Sequence, residues 1–364
     1  MRALFNKGGA CLKVAFVAGL SDKKLIQKLD PLTRLNAIQS IHLYRRNPIA
    51  DLDKITWQRL PKWAARYKIA GDLLRFLCLM VRGWQYDVLI GCNQAFHGMS
   101  ACICGALWHK PVLQIVTSEV SHVCSHPFLK HTLFSAHAVA VRGPISGSHL
   151  KQLGYKGQIE ILQNPFRLPQ SVPPEHQRQY AYDILAVGDY APAKSYPWMM
   201  EVVGRVKRVF PGLRMAIAGR GPFEKKLSVL LNQYGLGESV SFLGWQNEEA
   251  LGNLYQNSRS LLLTSKTEGL PMVVIEAMAH KTPVFVTNVG DLSWLVRDRL
   301  DGFVVDHGKT DTMVLLLKKG LNDHAALEKM GESAYHRVCA LASAFDPHHI
   351  VDTWKALLKN IHSN

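Results

Sequence analysis

The chain has 364 residues, 48% hydrophobic and 20% charged, which allows two ordinary domains and excludes a disordered or fibrous polypeptide. No apolar run reaches the ~18–20 residues needed to span a bilayer, and the seven cysteines show no paired metal-ligand spacing, Cys102-x-Cys104 being too close for a zinc knuckle. The formal charge of +15 is unevenly placed, with 23 Lys and Arg against 9 Asp and Glu in residues 1–180 and 20 against 19 in the rest, so an anionic partner is expected for the first half alone.

Cys11 to Leu20 has the apolar character of a secretion signal. Lys13 interrupts it, however, and Ser21-Asp22-Lys23-Lys24 is a poor cleavage context, so it reads as a first strand from Leu12 to Leu20. A short helical segment with Lys23, Lys24 and Lys28 follows, then a strand from Ile41 to Tyr44. Asp51-Leu52-Asp53 follows Pro48 without strand context and reads as a solvated turn rather than a metal-binding Asp-x-Asp.

Trp57 to Trp84 interleaves Trp57, Trp63, Leu73, Leu74, Phe76, Leu77 and Met80 with Arg59, Lys62, Arg66, Lys68, Arg75 and Arg82. That pattern suits either an anionic bilayer surface or a helix packed on a sheet with a cationic solvent face. No nucleic-acid-reading motif accompanies the charge, and no nucleic-acid partner is expected. Further strands are expected at Asp87 to Gly91, Pro111 to Val116, Ala138 to Arg142 and Ile159 to Leu162, with a helix from Gly98 to Trp108. The alternation predicts a mostly parallel sheet covered on both faces.

Asn164 to Tyr182, with Pro165, Pro169, Pro173 and Pro174, reads as a linker. The expected domains are 1–168, with 349–364 packing on it, and 180–348. In the second domain, strands are expected at Ile184 to Val187, Arg214 to Ala218, Val240 to Leu243, Leu261 to Thr264, Val284 to Thr287 and Phe303 to Val305. A last helix, from about His349 to Ile361, places Ile350, Trp354, Leu357 and Leu358 at helical spacing.

The densest chemistry lies in residues 264–283. Leu261-Leu262-Leu263 looks like a buried strand, Gly269 and Pro271 break it, and Met272 to Ala279 reads as a helix with Pro271 in its first turn. Glu268 then sits on the loop and Glu276 about a turn and a half into the helix. Free N–H groups at the helix start favour an anion such as a diphosphate. Carboxylates on either side can grip hydroxyl groups, which suits a nucleotide-sugar.

This block resembles the Glu-x7-Glu signature of retaining GT-B glycosyltransferases of family 4 (glycosyl transferases group 1). The resemblance runs in order through Ala186-Val187-Gly188, Lys194, Gly219-Arg220-Gly221-Pro222, Phe242-Leu243-Gly244, Ser265-x-x-Glu268-Gly269, Glu276-Ala277-Met278-Ala279, Pro283-Val284, Val289-Gly290-Asp291 and Asp301-Gly302-Phe303. It implies two Rossmann-like α/β domains facing a cleft, with the terminal helix crossing back to the first domain. It also implies Glu276 on the nucleotide ribose, Glu268 facing the donor sugar, and Lys194 on phosphate. Ser265, Gly188, Gly219, Gly269, Leu270 and Pro271 would lie along the donor, with Trp245 either a wall for the base or a packing residue.

Two departures from the family pattern stand out. The position after Gly188 is Asp189, where the family commonly has Arg; Asp189 would repel phosphate unless it pairs elsewhere, for instance with Lys194, and Arg220 is the candidate replacement charge. Where many members carry a His after the strand ending near Val116, this chain has Thr117-Ser118-Glu119. His97 is the best substitute, Glu119 a second, and Gly19 could let sugar or phosphate approach bare backbone. The resemblance further implies no metal and no cofactor beyond the nucleoside diphosphate sugar, transferred to a lipid-linked or cell-surface glycan as in polysaccharide or lipopolysaccharide biosynthesis. It places the enzyme in the cytoplasm, peripheral on the inner membrane face. A soluble acceptor, a phosphorylase, or a catalytically weak membrane partner are the alternatives.

Overall fold

Among the described residues the strands pair parallel within their sheets, and a parallel pair needs a crossover between its members, so helices separate most successive strands. The computed structural model describes residues 11–49, 52–61, 64, 66–92, 94–173 and 178–363. Asp51, Lys62, Trp63 and Pro174, named above, lie outside them, as do residues 1–10. The chain divides into two units, one of residues 1–166 with 343–364 and one of residues 167–342.

The first unit holds a seven-stranded sheet in the order β3-β2-β1-β4-β5-β6-β7. Its strands are β1 (Leu12–Ala18), β2 (Ile38–Tyr44), β3 (Ile55–Trp57), β4 (Val88–Cys92), β5 (Val112–Ile115), β6 (Ala138–Val141) and β7 (Gln158–Ile161). Period-two alternation sends Val14, Phe16 and Ala18 to one face and Ala15 and Val17 to the other, all buried. The first face is covered by helix Asp22–Thr33, through Leu25, Leu29 and Leu32, and by the terminal helix Pro347–Ser363. Ile350, Trp354, Leu357, Leu358 and Ile361 of the terminal helix enter that core, so the last residues of the chain complete the first unit. Helices Lys68–Arg82 and Met99–Trp108 contribute Leu79 and Ala101, Cys102 and Cys104 to the opposite face.

Two expectations need correction here. Trp57 is not an amphipathic anchor: it ends the edge strand β3, which the sequence reading missed, and its indole N–H donates to the Arg45 carbonyl at 3.1 Å. Leu74, Phe76 and Met80 are half-buried and Arg75 is buried against Asp72, so the solvent face of the helix carries other residues.

The second unit holds a six-stranded sheet in the order β10-β9-β8-β11-β12-β13. These are β8 (Ile184–Val187), β9 (Met215–Ala218), β10 (Val240–Gly244), β11 (Leu261–Leu263), β12 (Val284–Thr287) and β13 (Gly302–Val305). β11 and β12 pair in register from Leu261 opposite Val284 to Leu263 opposite Val286. Both sheets reverse strand order once, between β1 and β4 in the first unit and between β8 and β11 in the second. Open α/β sheets bind ligands outside the carboxyl ends of the strands at such a reversal.

One buried charge stands out in the first unit. Lys28, on helix Asp22–Thr33, is 4% exposed and bonds Asn164 Oδ1 at 3.2 Å. Burial, reinforced by the nearby Arg142 guanidinium, pulls its pKa down to about 7. Between about pH 7 and the ordinary lysine value of 10.5 the unfolded chain binds this proton and the folded chain does not, so stability rises with pH across that window. Lys28→Met should raise Tm at pH 7 by about 3 °C or more and flatten the rise toward alkaline pH, measured by thermal unfolding from pH 6 to 10; an unchanged slope would show that Lys28 is not its source.

Candidate functional site

The reversal in the second sheet gathers most of the candidates. Gly188 follows β8, and the run Thr264, Ser265, Lys266, Thr267, Glu268 follows β11. Backbone and side-chain bonds tie the two loops together. The Lys266 N–H donates to the Ala193 carbonyl at 2.7 Å, and the Thr264 hydroxyl donates to the Lys194 carbonyl at 2.9 Å. Thr264 and Ser265 are fully buried, and the Thr287 hydroxyl fixes the loop from β12 by donating to the Ser265 carbonyl at 2.7 Å.

That framework aims Lys194 at Glu268. The ammonium lies 2.6 Å from Glu268 Oε1, and the Ser265 hydroxyl donates to the same oxygen at 2.7 Å. Both charged side chains are mostly buried, at 16% and 17% exposure, where an ion pair is screened less than on the surface. Lys194 is thus paired with Glu268. It uses one of its three N–H donors on Glu268, leaving the ammonium suited to a second oxygen ligand. Asp189 is exposed, and it has polar or electrostatic partners of its own.

Beside this pair begins helix Met272–Ala279. Pro271 caps it rather than occupying its first turn, with the extended backbone of a cap residue (φ −73°, ψ 121°). Gly269, Leu270 and Pro271 are buried, so this loop presents backbone more than side chains. The first N–H groups of any helix lack a carbonyl four residues back, and their dipole favours an anion. Glu276 stands farther along the helix, where the Tyr255 hydroxyl donates to its Oε2 at 2.8 Å. Tyr255 is 1% exposed, and burial followed by the Glu276 charge drives its pKa well above the usual value, so it stays a proton donor. His280 Nδ1 lies 2.7 Å from the Glu276 carbonyl oxygen; burial lowers the pKa of the ring, which as the neutral Nδ1–H tautomer donates there.

Tyr255 and His280 are the functional neighbours that sequence reasoning missed. Tyr255 sits 21 residues before Glu276 on helix Glu248–Gln256, inside no motif, and only the fold brings them together. A second missed pair supports Lys194. Ser195, with φ +52°, places its hydroxyl 2.9 Å from His307 Nε2, and the His307 ring packs on Trp198 at 4.7 Å.

The remaining second-unit candidates lie at the ends of the neighbouring strands. Gly188 and Gly219 close β8 and β9, the Gly188 N–H donating to the Ala218 carbonyl at 3.0 Å. Arg220 is exposed, with its guanidinium 5.8 Å from the ring centre of Trp245 just past β10. Trp245 is 61% exposed and offers an open aromatic face at that strand end.

In the first unit, the reversal joins Gly19, after β1, to His97, after β4. A Cβ on Gly19 would lie 2.4 Å from the His97 ring, so the missing side chain at residue 19 makes room for the histidine. Glu119 is the N-cap residue of helix Val120–Cys124 and accepts a hydrogen bond from the Ser121 hydroxyl. Among the described residues, no group of three or more His, Cys, Asp or Glu is arranged to hold a metal.

Two α/β units with parallel sheets make a fold of the GT-B type, with Lys194, Glu268 and Glu276 about one helix in the second. Residues 173–337 match the family model described as Glycosyl transferases group 1. It is 30% identical over 184 residues to a D-inositol 3-phosphate glycosyltransferase of Nocardia farcinica, covering 48% of this chain and 41% of the relative. It is 21% identical over 244 residues to the lipopolysaccharide core biosynthesis glycosyltransferase LpsE of Rhizobium meliloti, covering 66% and 69%. The chain spans less than half the length of the first curated relatives it matches. Among solved structures, Anabaena HepE in complex with UDP and glucose superposes with a TM-score of 0.72 at 16% identity, covering 96% of this chain and all of that one, which establishes the shared fold.

Gly290 supplies a test of the loop geometry. It has φ +58°, and a Cβ there would lie 2.3 Å from the Glu268 carbonyl oxygen and 2.4 Å from that of Gly269. Gly290→Ala must strain the backbone by ~1 kcal/mol or more and push the Glu268 loop. Thermal unfolding should show Tm lowered by at least about 2 °C. An unchanged Tm would mean that the loop accommodates the side chain without strain.

Proposed function

We propose that this chain is a retaining, metal-independent glycosyltransferase. It moves a hexose or N-acetylhexosamine from a nucleoside diphosphate sugar to a lipid-linked or cell-surface glycan. The observation that carries this reading is the joint placement of Lys194, Glu268 and Glu276 around one helix start. Glu276, held by Tyr255, would accept hydrogen bonds from ribose hydroxyls. The N-terminal N–H groups of helix Met272–Ala279 and Lys194 would hold the diphosphate, and Glu268 would face the sugar.

The energetic problem is the departing diphosphate. As the bond from the anomeric carbon to the phosphate oxygen breaks, its electron pair stays on that oxygen, and fixed cations stabilise the charge that develops. The acceptor hydroxyl attacks from the same face and passes its proton to the leaving phosphate oxygen, so configuration is retained without a protein nucleophile. Lys194 is the charge already in place, and Arg220 is the candidate for a second. His97 and Glu119, in the first unit, are proposed to bind sugar or acceptor hydroxyls, with Gly19 giving close backbone approach.

The UDP and glucose in the HepE complex favour a UDP-hexose donor. The lipopolysaccharide role in the name of LpsE favours a lipid-linked glycan at the inner face of the cytoplasmic membrane. A soluble polyol phosphate acceptor is the second reading, favoured by the name of the Nocardia relative.

A mass-spectrometric screen of nucleotide-sugars, with membrane extract and with inositol phosphate as acceptors, tests these readings. Transfer is expected with a lipid-extractable acceptor and should fall at least about 100-fold in Glu268→Gln, about 2.7 kcal/mol of lost transition-state stabilisation. Transfer that survives Glu268→Gln, or a product of inverted anomeric configuration by NMR, would overturn the proposal.

A further inference from the structure

Helix Lys68–Arg82 turns an unusual side to solvent. Ile69, Leu73, Leu77 and Val81 are 85%, 51%, 49% and 72% exposed. They recur every four residues and so form one stripe along the helix. The opposite side, with Gly71, Arg75 and Leu79, is the one buried on the sheet. Tyr67 precedes the stripe and Trp84 follows it, both more than half exposed.

The neighbouring helix adds exposed apolar residues of its own. Met99–Trp108 is tied to Lys68–Arg82 by the Trp108 indole, which donates to the Met80 carbonyl at 2.7 Å, and by Cys104, which donates to that of Leu79 at 3.4 Å. Its own solvent side carries Ile103 and Leu107, 42% and 51% exposed. Soluble monomers rarely show contiguous apolar patches of this kind without a partner.

Charge identifies the partner. Residues 66–110 contain five Lys and Arg against two Asp and Glu. Both carboxylates are engaged: Asp72 with Arg75 at 2.6 Å, and Asp87 with the Lys13 backbone N–H at 2.8 Å. Exposed Arg66 and Arg82 stand near the two ends of the stripe. A second copy docked on this face would bring like charges together, which is unfavourable. An anionic bilayer would take the apolar side chains at its acyl boundary, the cations at its headgroups, and Tyr67 and Trp84 at the interface between them.

We propose that this face, formed by helix Lys68–Arg82 with Ile103 and Leu107 beside it, docks the protein on an anionic lipid surface. The inference gives the proposed lipid-linked acceptor reading a physical attachment site, and it rests on that reading only for its purpose. Binding to vesicles is measured without any sugar, so its failure and a failure of sugar transfer are separate results.

The experiment is sedimentation of the full chain with vesicles of phosphatidylcholine alone and of phosphatidylcholine mixed with phosphatidylglycerol, at low and high salt. Binding should need phosphatidylglycerol, weaken with salt, and fall at least about tenfold in Leu73→Ser/Leu77→Ser, whose exposed positions should leave Tm unchanged. If that double variant unfolds, Ile69→Ser/Val81→Ser, at the most exposed positions, reads the same loss. Equal sedimentation by wild type and variants, or no preference for phosphatidylglycerol, would overturn the proposal. So would a dimer in light scattering that the substitutions dissolve, because the occupant would then be a second copy.

Discussion

Parallel pairing is the constraint on which the rest depends. Once every strand of a sheet points the same way, every strand ends on one edge, and the loops that leave those ends share it. Where the order of strands reverses, neighbouring loops diverge and leave room outside the sheet. β8 and β11 flank that point in the second unit, so Lys194 and Glu268 come together although 74 residues separate them. β1 and β4 do the same in the first unit, and Gly19 meets His97 there. The apolar strands are thus the reason that scattered polar residues converge.

Electrostatics then sets the character of the second-unit site. Lys194 and Glu268 are mutually neutralised at 2.6 Å in a mostly buried setting, with Ser265 as a third member. In the proposed function, a diphosphate would add negative charge beside Lys194 and the helix start, while the hydroxyls of a sugar would occupy the remaining acceptor capacity of Glu268. Glu276 is held separately through Tyr255, so the two carboxylates have independent supports. The exposed Asp189 leaves Lys194 as the cation already paired with Glu268.

Much of this was legible from residue order because local chemistry wrote it. Leu261-Leu262-Leu263 read as a buried strand and is one, and the Gly269 to Pro271 break with Met272 to Ala279 behind it predicted the helix that forms. The strands Ile184–Val187 and Val284–Thr287 fall where their apolar runs place them. What escaped depended on distant partners. β3 is three residues long and exists through pairing with β2, which no periodicity announces. Tyr255 reads as an ordinary helical aromatic until its hydroxyl is seen on Glu276. On helix Lys68–Arg82 the mixture of apolar and basic residues was legible but its orientation was not, because Arg75 turns inward to Asp72 while Ile69 and Val81 turn outward.

The central claim is that the Glu276, Glu268 and Lys194 cluster binds a nucleoside diphosphate with its ribose on Glu276. Isothermal titration of UDP and of 2′,3′-dideoxy-UDP into wild type and Glu276→Gln tests it most directly. The account predicts that removing the ribose hydroxyls weakens binding to the wild type at least about tenfold and has little further effect in Glu276→Gln, as coupled partners do in a double-mutant cycle. Additive losses from the two changes would contradict it, because Glu276 and the ribose would then act independently.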